Sequence, residues 1–224
     1  MAVVVPELSE IFEEAYERLG LELRSGYDLK TARRSLNLLT LEWQNRGLNL
    51  FTIESGTQAL TAGTATYTLP TDTIDIIEHQ LRTGTGTNQV DTNLERVSVS
   101  TYAQQSNKNT QGRPTQIYVE RLATSTKVTV WPVPDATQPY TLLYYRMKGI
   151  DGLSAGIAGS AAIPPRFVPA LTSGLAYYLS LKKSPQMAPN LKQDYEFQFE
   201  LAAGEDTDRA AVQFVPYNTF IMGG

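Results

Sequence analysis

The chain has 224 residues, of which 42% are hydrophobic and 19% charged, a composition that supports a packed core and excludes a disordered chain. Its 19 Lys and Arg against 23 Asp and Glu leave a formal net charge of −4, without the basic excess that gripping nucleic acid along its phosphates usually demands. Cysteine is absent, which removes disulfides, thiolate metal sites and cysteine nucleophiles together.

The stretch Met1 to Pro6 lacks the basic start and long apolar run of a secretory signal. The most apolar later stretch, Ala170 to Leu181, is interrupted by Thr172, Ser173, Gly174 and Ser180 and falls short of the roughly 20 residues of a membrane span. The expectation is a soluble protein made in a cytoplasm, with no membrane partner.

In the first fifty residues, Leu8, Ile11, Phe12, Ala15 and Leu19 recur at helical spacing, with Pro6 and Glu7 suiting the start and Gly20 the stop. A second helix begins at Asp28, read as its N-cap, and sets Ala32, Leu36, Leu39 and Trp43 on one stripe before Gly47. Two amphipathic helices joined by a short Gly-containing loop are expected to pack antiparallel.

From about Phe51 the period becomes alternating. Strands are expected around Phe51 and Ile53, Tyr67 and Leu69, Ile74 to Ile77, Leu94 to Val97, Gln116 to Val119, Lys127 to Trp131 and Tyr140 to Met147. In the last, Thr141, Leu143 and Tyr145 face one way and Leu142, Tyr144 and Arg146 the other. A short helix from Ser98 would pack Tyr102 on the sheet. The Gly, Thr and Asn content of Thr83 to Asn93 reads as a mobile hairpin loop, and Gly149 to Ala162 is similarly small and flexible.

Pro164 and Pro165 then open a third helix with Phe167, Leu171, Gly174, Tyr178 and Leu181 on its stripe. A final helix from near Pro189 carries Leu191, Tyr195, Phe199 and Ala202. The terminal stretch, with Val212, Phe214, Val215, Pro216, Tyr217, Phe220 and Ile221, has no charge after Arg209. Left free it would expose a sticky surface, so it is expected to dock on its own domain or on a partner.

The fold class read from this order is α+β: an antiparallel four-helix bundle of N- and C-terminal helical hairpins, an inserted small antiparallel β-sandwich or barrel, and an extended C-terminal tail. The divisions are 1–50, 51–160, 161–211 and 212–224.

The chemical candidates are sparse. His79 is the sole histidine and lies at the end of a strand, where a sheet-edge role is the simpler reading. Carboxylates adjoin at Glu13 and Glu14, at Asp72 and Asp75, and at Glu205, Asp206 and Asp208, but sequence spacing does not set two of them across a cleft. Gly84-Thr85-Gly86 lacks the lysine and helix of a phosphate loop. No catalytic, cofactor or metal residue is assigned. Arg24, Lys30, Arg33, Arg34 and Arg46 gather in the N-terminal hairpin, either facing a partner or DNA phosphates or simply solvated on a helix. Trp43 and Trp131 read as core or seam anchors.

Four short signals occur in order: Trp43 to Gly47, Tyr67-Thr68-Leu69-Pro70, Gly112-Arg113-Pro114, and Val130-Trp131-Pro132-Val133-Pro134-Asp135. Each sets an aromatic or Gly beside a forced turn. Together with the flanking helices they resemble the head-to-tail adaptor proteins of tailed bacteriophages of the podovirus type, which stabilise packaged DNA. The resemblance implies a structural virion protein, without enzymatic activity, at the portal–tail vertex. It implies a ring of 12 subunits below the portal protein, with the β module toward the next tail component, a nozzle or tail hub. DNA would make only transient, non-specific contact in passing. Phe214, Val215, Tyr217, Phe220 and Ile221 would then dock the tail on the portal. The alternatives from other classes are a virion-associated peptidoglycan hydrolase and a host-adhesion or carbohydrate-binding β module.

Overall fold

The structure, a computed structural model, describes residues 6–47, 50–150 and 163–206. Helix α1 (Leu8–Glu17) starts with a capping box in which Glu7 and Glu10 satisfy each other's backbone. Helix α2 (Gly26–Arg46) is capped by Ser25, whose hydroxyl accepts from the Asp28 backbone N–H. Asp28 therefore sits in the first turn instead of at the cap, and its carboxylate takes Lys183 at 3.0 Å.

After a 3-10 turn over Leu50–Thr52 come β1 (Ile53–Leu60), β2 (Thr66–Thr68), β3 (Thr73–Thr83), β4 (Val90–Asn93) and β5 (Glu95–Val97). The short α3 (Val99–Ala103) follows, then β6 (Gln111–Gly112), β7 (Gln116–Arg121), β8 (Thr126–Trp131), β9 (Val133–Pro134) and β10 (Tyr140–Lys148). The chain finishes its described part with α4 (Val168–Lys183) and α5 (Ala188–Glu205).

The class is α+β, but the helices do not form a four-helix bundle of two hairpins. Helices α1 and α2 each pack chiefly on α4, as does α5. The reason lies in the connection between the first two. Leu19 is buried and Leu21 and Leu23 are partly buried against the helical core, so the linker runs along that core instead of folding α2 back onto α1. Only a local tie joins the pair, the Tyr16 hydroxyl donating to the Asp28 carbonyl at 3.2 Å.

Helix α4 is buried nearly all round, through Ala170, Leu171, Thr172, Ser173, Gly174, Leu175, Ala176, Leu179 and Ser180. Small residues on several faces let three neighbours approach one axis. At Gly174 an added Cβ would stand 2.8 Å from Leu39 Cδ1 and 2.9 Å from Tyr195 Cε2, so the α2 and α5 side chains close over the bare backbone. The buried polar residues of α4, Thr172, Ser173 and Ser180, each have a hydrogen-bond partner. The Ser173 hydroxyl donates to Asp194 at 2.8 Å while accepting from Arg18 at 2.7 Å, and Lys182 reaches Ser35 on α2 at 2.8 Å.

The β region departs from the expected purely antiparallel sandwich. One sheet has the order β1-β10-β3-β4 and is antiparallel throughout. The second, β2-β8-β7-β5, has a parallel β5–β7 edge, and the two-residue pair β6–β9 is also parallel. Both four-stranded sheets contribute to one core containing Leu60, Ile76, Leu81, Ile117, Val128, Val130, Leu142 and Tyr144. The alternation expected in β10 holds: Leu142, Tyr144 and Arg146 are buried, whereas Tyr145 is 52% exposed. Gly56 stands opposite Tyr144 on β1, where a Cβ would collide with the phenol ring at 2.5 Å. Tyr102 of α3 stacks on Tyr118 of β7 at 5.3 Å. The stretch 83–93 is not the mobile loop expected: its second part, Val90–Asn93, is strand β4 paired with β3, and a 3-10 turn over Gly86–Asn88 joins the two.

An aromatic contact joins the cores. Phe51, in the turn before β1, packs into the helical core and lies 5.1 Å from Phe167. Beside it, Arg146 of β10 gathers Glu54 of β1 at 2.7 Å, Asp72 at 2.5 Å and the Thr73 hydroxyl at 2.8 Å, fixing the end of the sheet nearest the helices.

Candidate assembly surfaces

The basic residues of the N-terminal region do not act as one patch. Arg24 precedes α2 and pairs with Glu22 at 2.7 Å, both exposed. Arg46, the last residue of α2, grips Glu42 one turn back and Glu196 of α5 at 2.6 and 2.8 Å. Its guanidinium also lies 4.9 Å from the centroid of Tyr195 and 4.6 Å from that of Phe199. The hydrogen bond with Glu196 above all, and then that with Glu42, raises the Arg46 pKa well beyond the ordinary arginine value. Arg46 is thus a clamp between α2 and α5.

Beneath it lies a polar chain. The Trp43 indole N–H donates to the Tyr195 hydroxyl at 2.9 Å, which donates to Glu42 at 3.3 Å, and the Tyr178 hydroxyl donates to the same carboxylate at 2.6 Å. Burial, then the Glu42 charge, pushes the Tyr195 phenol upward.

Lys30, Arg33 and Arg34 behave differently. With Tyr27 and Asn37 they line a shallow depression on α2, and among the described residues none of the three forms an ion pair. The same side of α2 exposes Tyr27, Leu38 and Leu41, each at least half accessible. The spacing of 27, 30, 34, 37, 38 and 41 is that of one helical face, opposite the buried Ala32, Leu36, Leu39 and Trp43.

Helix α5 has a matching arrangement with other chemistry. Its inner stripe is Tyr195, Phe199 and Ala202; its outer side exposes Phe197 and Leu201, each more than half accessible, beside Gln193 and Glu200. Phe197 and Glu200 also border a shallow depression with Pro189 and Lys192. Sequence reading passed over Tyr27, Leu38, Leu41, Phe197 and Leu201. The available signal was phase: on a 3.6-residue turn Phe197 falls far from Tyr195 and Phe199, so an apolar residue there points away from the core.

The chemical candidates are dispersed. Asp72 is held by Arg146, whose hydrogen bond keeps the carboxyl below its ordinary range, and Asp75 pairs with Arg96 at 2.8 Å and Arg121 at 3.5 Å. Glu14 pairs with Arg18 at 2.9 Å, and the buried Asp206 with Arg166. Among the described residues, no three His, Asp or Glu side chains converge on a metal position. No helix among them is long and apolar enough to cross a membrane. Tyr145, the exposed aromatic of β10, is flanked across the strands by Ser55 and Glu78, so no aromatic row forms around it. The tail residues Phe214, Val215, Tyr217, Phe220 and Ile221 lie outside the described residues.

His79, expected at a sheet edge, sits within β3, an interior strand between β10 and β4. Its Nε2 meets the Leu94 carbonyl at 3.1 Å, so that nitrogen carries the proton, and Nδ1 is buried without a partner. Burial, the leading cause, lowers the pKa from the ordinary 6.5. A depressed folded-state value means the unfolded chain binds the proton first. Stability from this residue is present above the unfolded value and is lost as the pH falls through 6.5 toward the folded value. Urea unfolding between pH 7.5 and 5 is expected to show that loss in the native chain and a flatter profile in His79→Gln; identical slopes would refute the assignment.

A family model described as SU10 adaptor protein matches residues 8–218, nearly the whole chain. Among curated proteins, none matches it.

Proposed function

We propose a connector role from the premise that the chain belongs to the SU10 adaptor protein family, a family of bacteriophage structural adaptors. In this reading the protein is a virion component that stands between portal and tail. Twelve copies form a ring, and the ring is a conduit through which packaged DNA is retained and then ejected. The family match over residues 8–218 carries the reading.

Three physical features support it. Helices α2 and α5 present apolar residues to solvent on sides away from the core, as a subunit that completes itself by assembly does. The formal charge of −4 per copy gives the ring an acidic field overall, which favours passage of a polyanion over its capture. The terminal apolar residues Phe214, Val215, Tyr217, Phe220 and Ile221 form the portal-docking tail, adding contact area as they order on binding.

Sedimentation with purified portal from the same virus tests both parts. The full chain is expected to co-sediment as a ring, and a chain ending at Ala211 to remain in the supernatant. If neither binds, the connector role is wrong. If both bind equally, the docking role of the tail is wrong and the connector role stands.

A further inference from the structure

We infer that neighbouring copies of this chain meet by placing the outer face of α2 from one copy against the outer face of α5 from the next. The inference rests on the connector reading and deepens it by naming the two halves of the subunit contact.

A closed ring of identical subunits needs a head-to-tail contact, in which two different surfaces of the same molecule complement each other. The described helices supply such a pair. The α2 face combines Tyr27, Leu38 and Leu41 with Lys30 and Arg34. The α5 face combines Phe197 and Leu201 with Glu200. Leu38 with Leu41 on α2, and Phe197 with Leu201 on α5, each give an apolar pair one turn apart that can form the desolvated part of a contact, with Tyr27 farther along α2 beyond Lys30 and Arg34.

Charge selects the pairing. Helix α2 carries Lys30, Arg33 and Arg34, none of which forms an ion pair among the described residues, while its Arg46 is held by Glu42 and Glu196. On α5, Asp194 is held by Arg18 and Ser173 and Glu196 by Arg46, so the carboxylate that the outer face offers beside Phe197 and Leu201 is Glu200. An α2 face set on another α2 face would oppose cations to cations, and α5 on α5 would bring Glu200 toward Glu200. Like charges facing each other disfavour both symmetric pairings. Only the mixed contact joins apolar to apolar and cation to carboxylate at once.

The absence of cysteine makes the contact directly readable. The experiment uses the full-length chain with Leu38→Cys, with Phe197→Cys, and with both, each assembled on the purified portal and treated with a flexible thiol-specific bismaleimide. The span of the reagent tolerates a register offset of about one helical turn, ~5.4 Å. Both positions are exposed, so the substitutions leave the core untouched.

The double variant is expected to give a covalent ladder extending beyond the dimer, and each single variant to stay monomeric on a denaturing gel. A dimer from either single variant would mean a symmetric contact and would overturn the inference. A ring that co-sediments with the portal yet gives no ladder would overturn it too, while leaving the connector role intact. A native chain that forms no ring on the portal would end the two together.

Discussion

Trp43→Ala is expected to remove about 3–5 kcal/mol of folding stability, a large share of the ~5–15 kcal/mol typical of a domain. Trp43 has no solvent exposure and is the largest fully buried side chain. Its ring lies 5.5 Å from both Phe167 and Phe199, so truncation opens a cavity where α2, α4 and α5 meet. It also deprives the Tyr195 hydroxyl of its donor, although that hydroxyl keeps Glu42 as an acceptor. Trp43→Phe keeps most of the ring volume and is expected to cost distinctly less. Chemical denaturation followed by circular dichroism measures both. A loss below about 1 kcal/mol for the alanine variant would contradict the packing described.

Gly174→Leu is the second large effect, expected at about 3 kcal/mol, the upper end for overpacking. A bare Cβ at this position already falls within 3 Å of Leu39 and Tyr195, and the Tyr195 ring is held in place by Trp43 and Glu42. The strain lands on two helices at once, because Leu39 belongs to α2 and Tyr195 to α5. Gly174→Ala sets a gain in helix propensity of up to ~1 kcal/mol against a smaller collision, so its cost is expected to be slight. Thermal or urea unfolding of the three chains orders them. If leucine were tolerated as well as alanine, α4 would not be the tightly enclosed axis of the helical core.

Periodic signals in the sequence carried the elements but not their partners. The stripes Leu8-Ile11-Phe12-Ala15 and Tyr195-Phe199-Ala202 face the core, and the alternation along β10 sorts Tyr144 inward and Tyr145 outward. Each such pattern is written within one element and is therefore local. Which helix meets which is a matter of residues far apart, and the expected hairpins failed there. Thr172, Ser173, Gly174 and Ser180, read as interruptions in an apolar run, are the small residues that let three helices crowd α4. Strands at β5 and β7 are expected from the sequence, but their parallel pairing is not, because periodicity within a strand does not encode its partner or direction; β6 and β9, two residues each, carry no readable period at all.

The surfaces were less legible than the core. Arg46 and Arg34 look alike in the sequence, yet one is clamped by Glu196, 150 positions away, and the other forms no ion pair among the described residues. Asp28 reads as the cap of α2, and only the folded backbone shows that the Ser25 hydroxyl receives the Asp28 N–H instead.

The central position of α4 sets the order in which the protein can mature as it leaves the ribosome. Helices α1 and α2 are synthesised first, but the helix that covers their apolar stripes begins only at Val168, with the stretch between Arg46 and Val168, more than half the chain, translated in between. At ~5–20 residues per second, that interval lasts on the order of ten seconds, during which the stripes of the nascent chain lie uncovered. The β region, with both of its sheets and their shared core encoded between the two helical parts, is complete before α4 emerges. The helical part therefore closes late, around the C-terminal segment, and a nascent chain stalled before α4 is a natural substrate for chaperones.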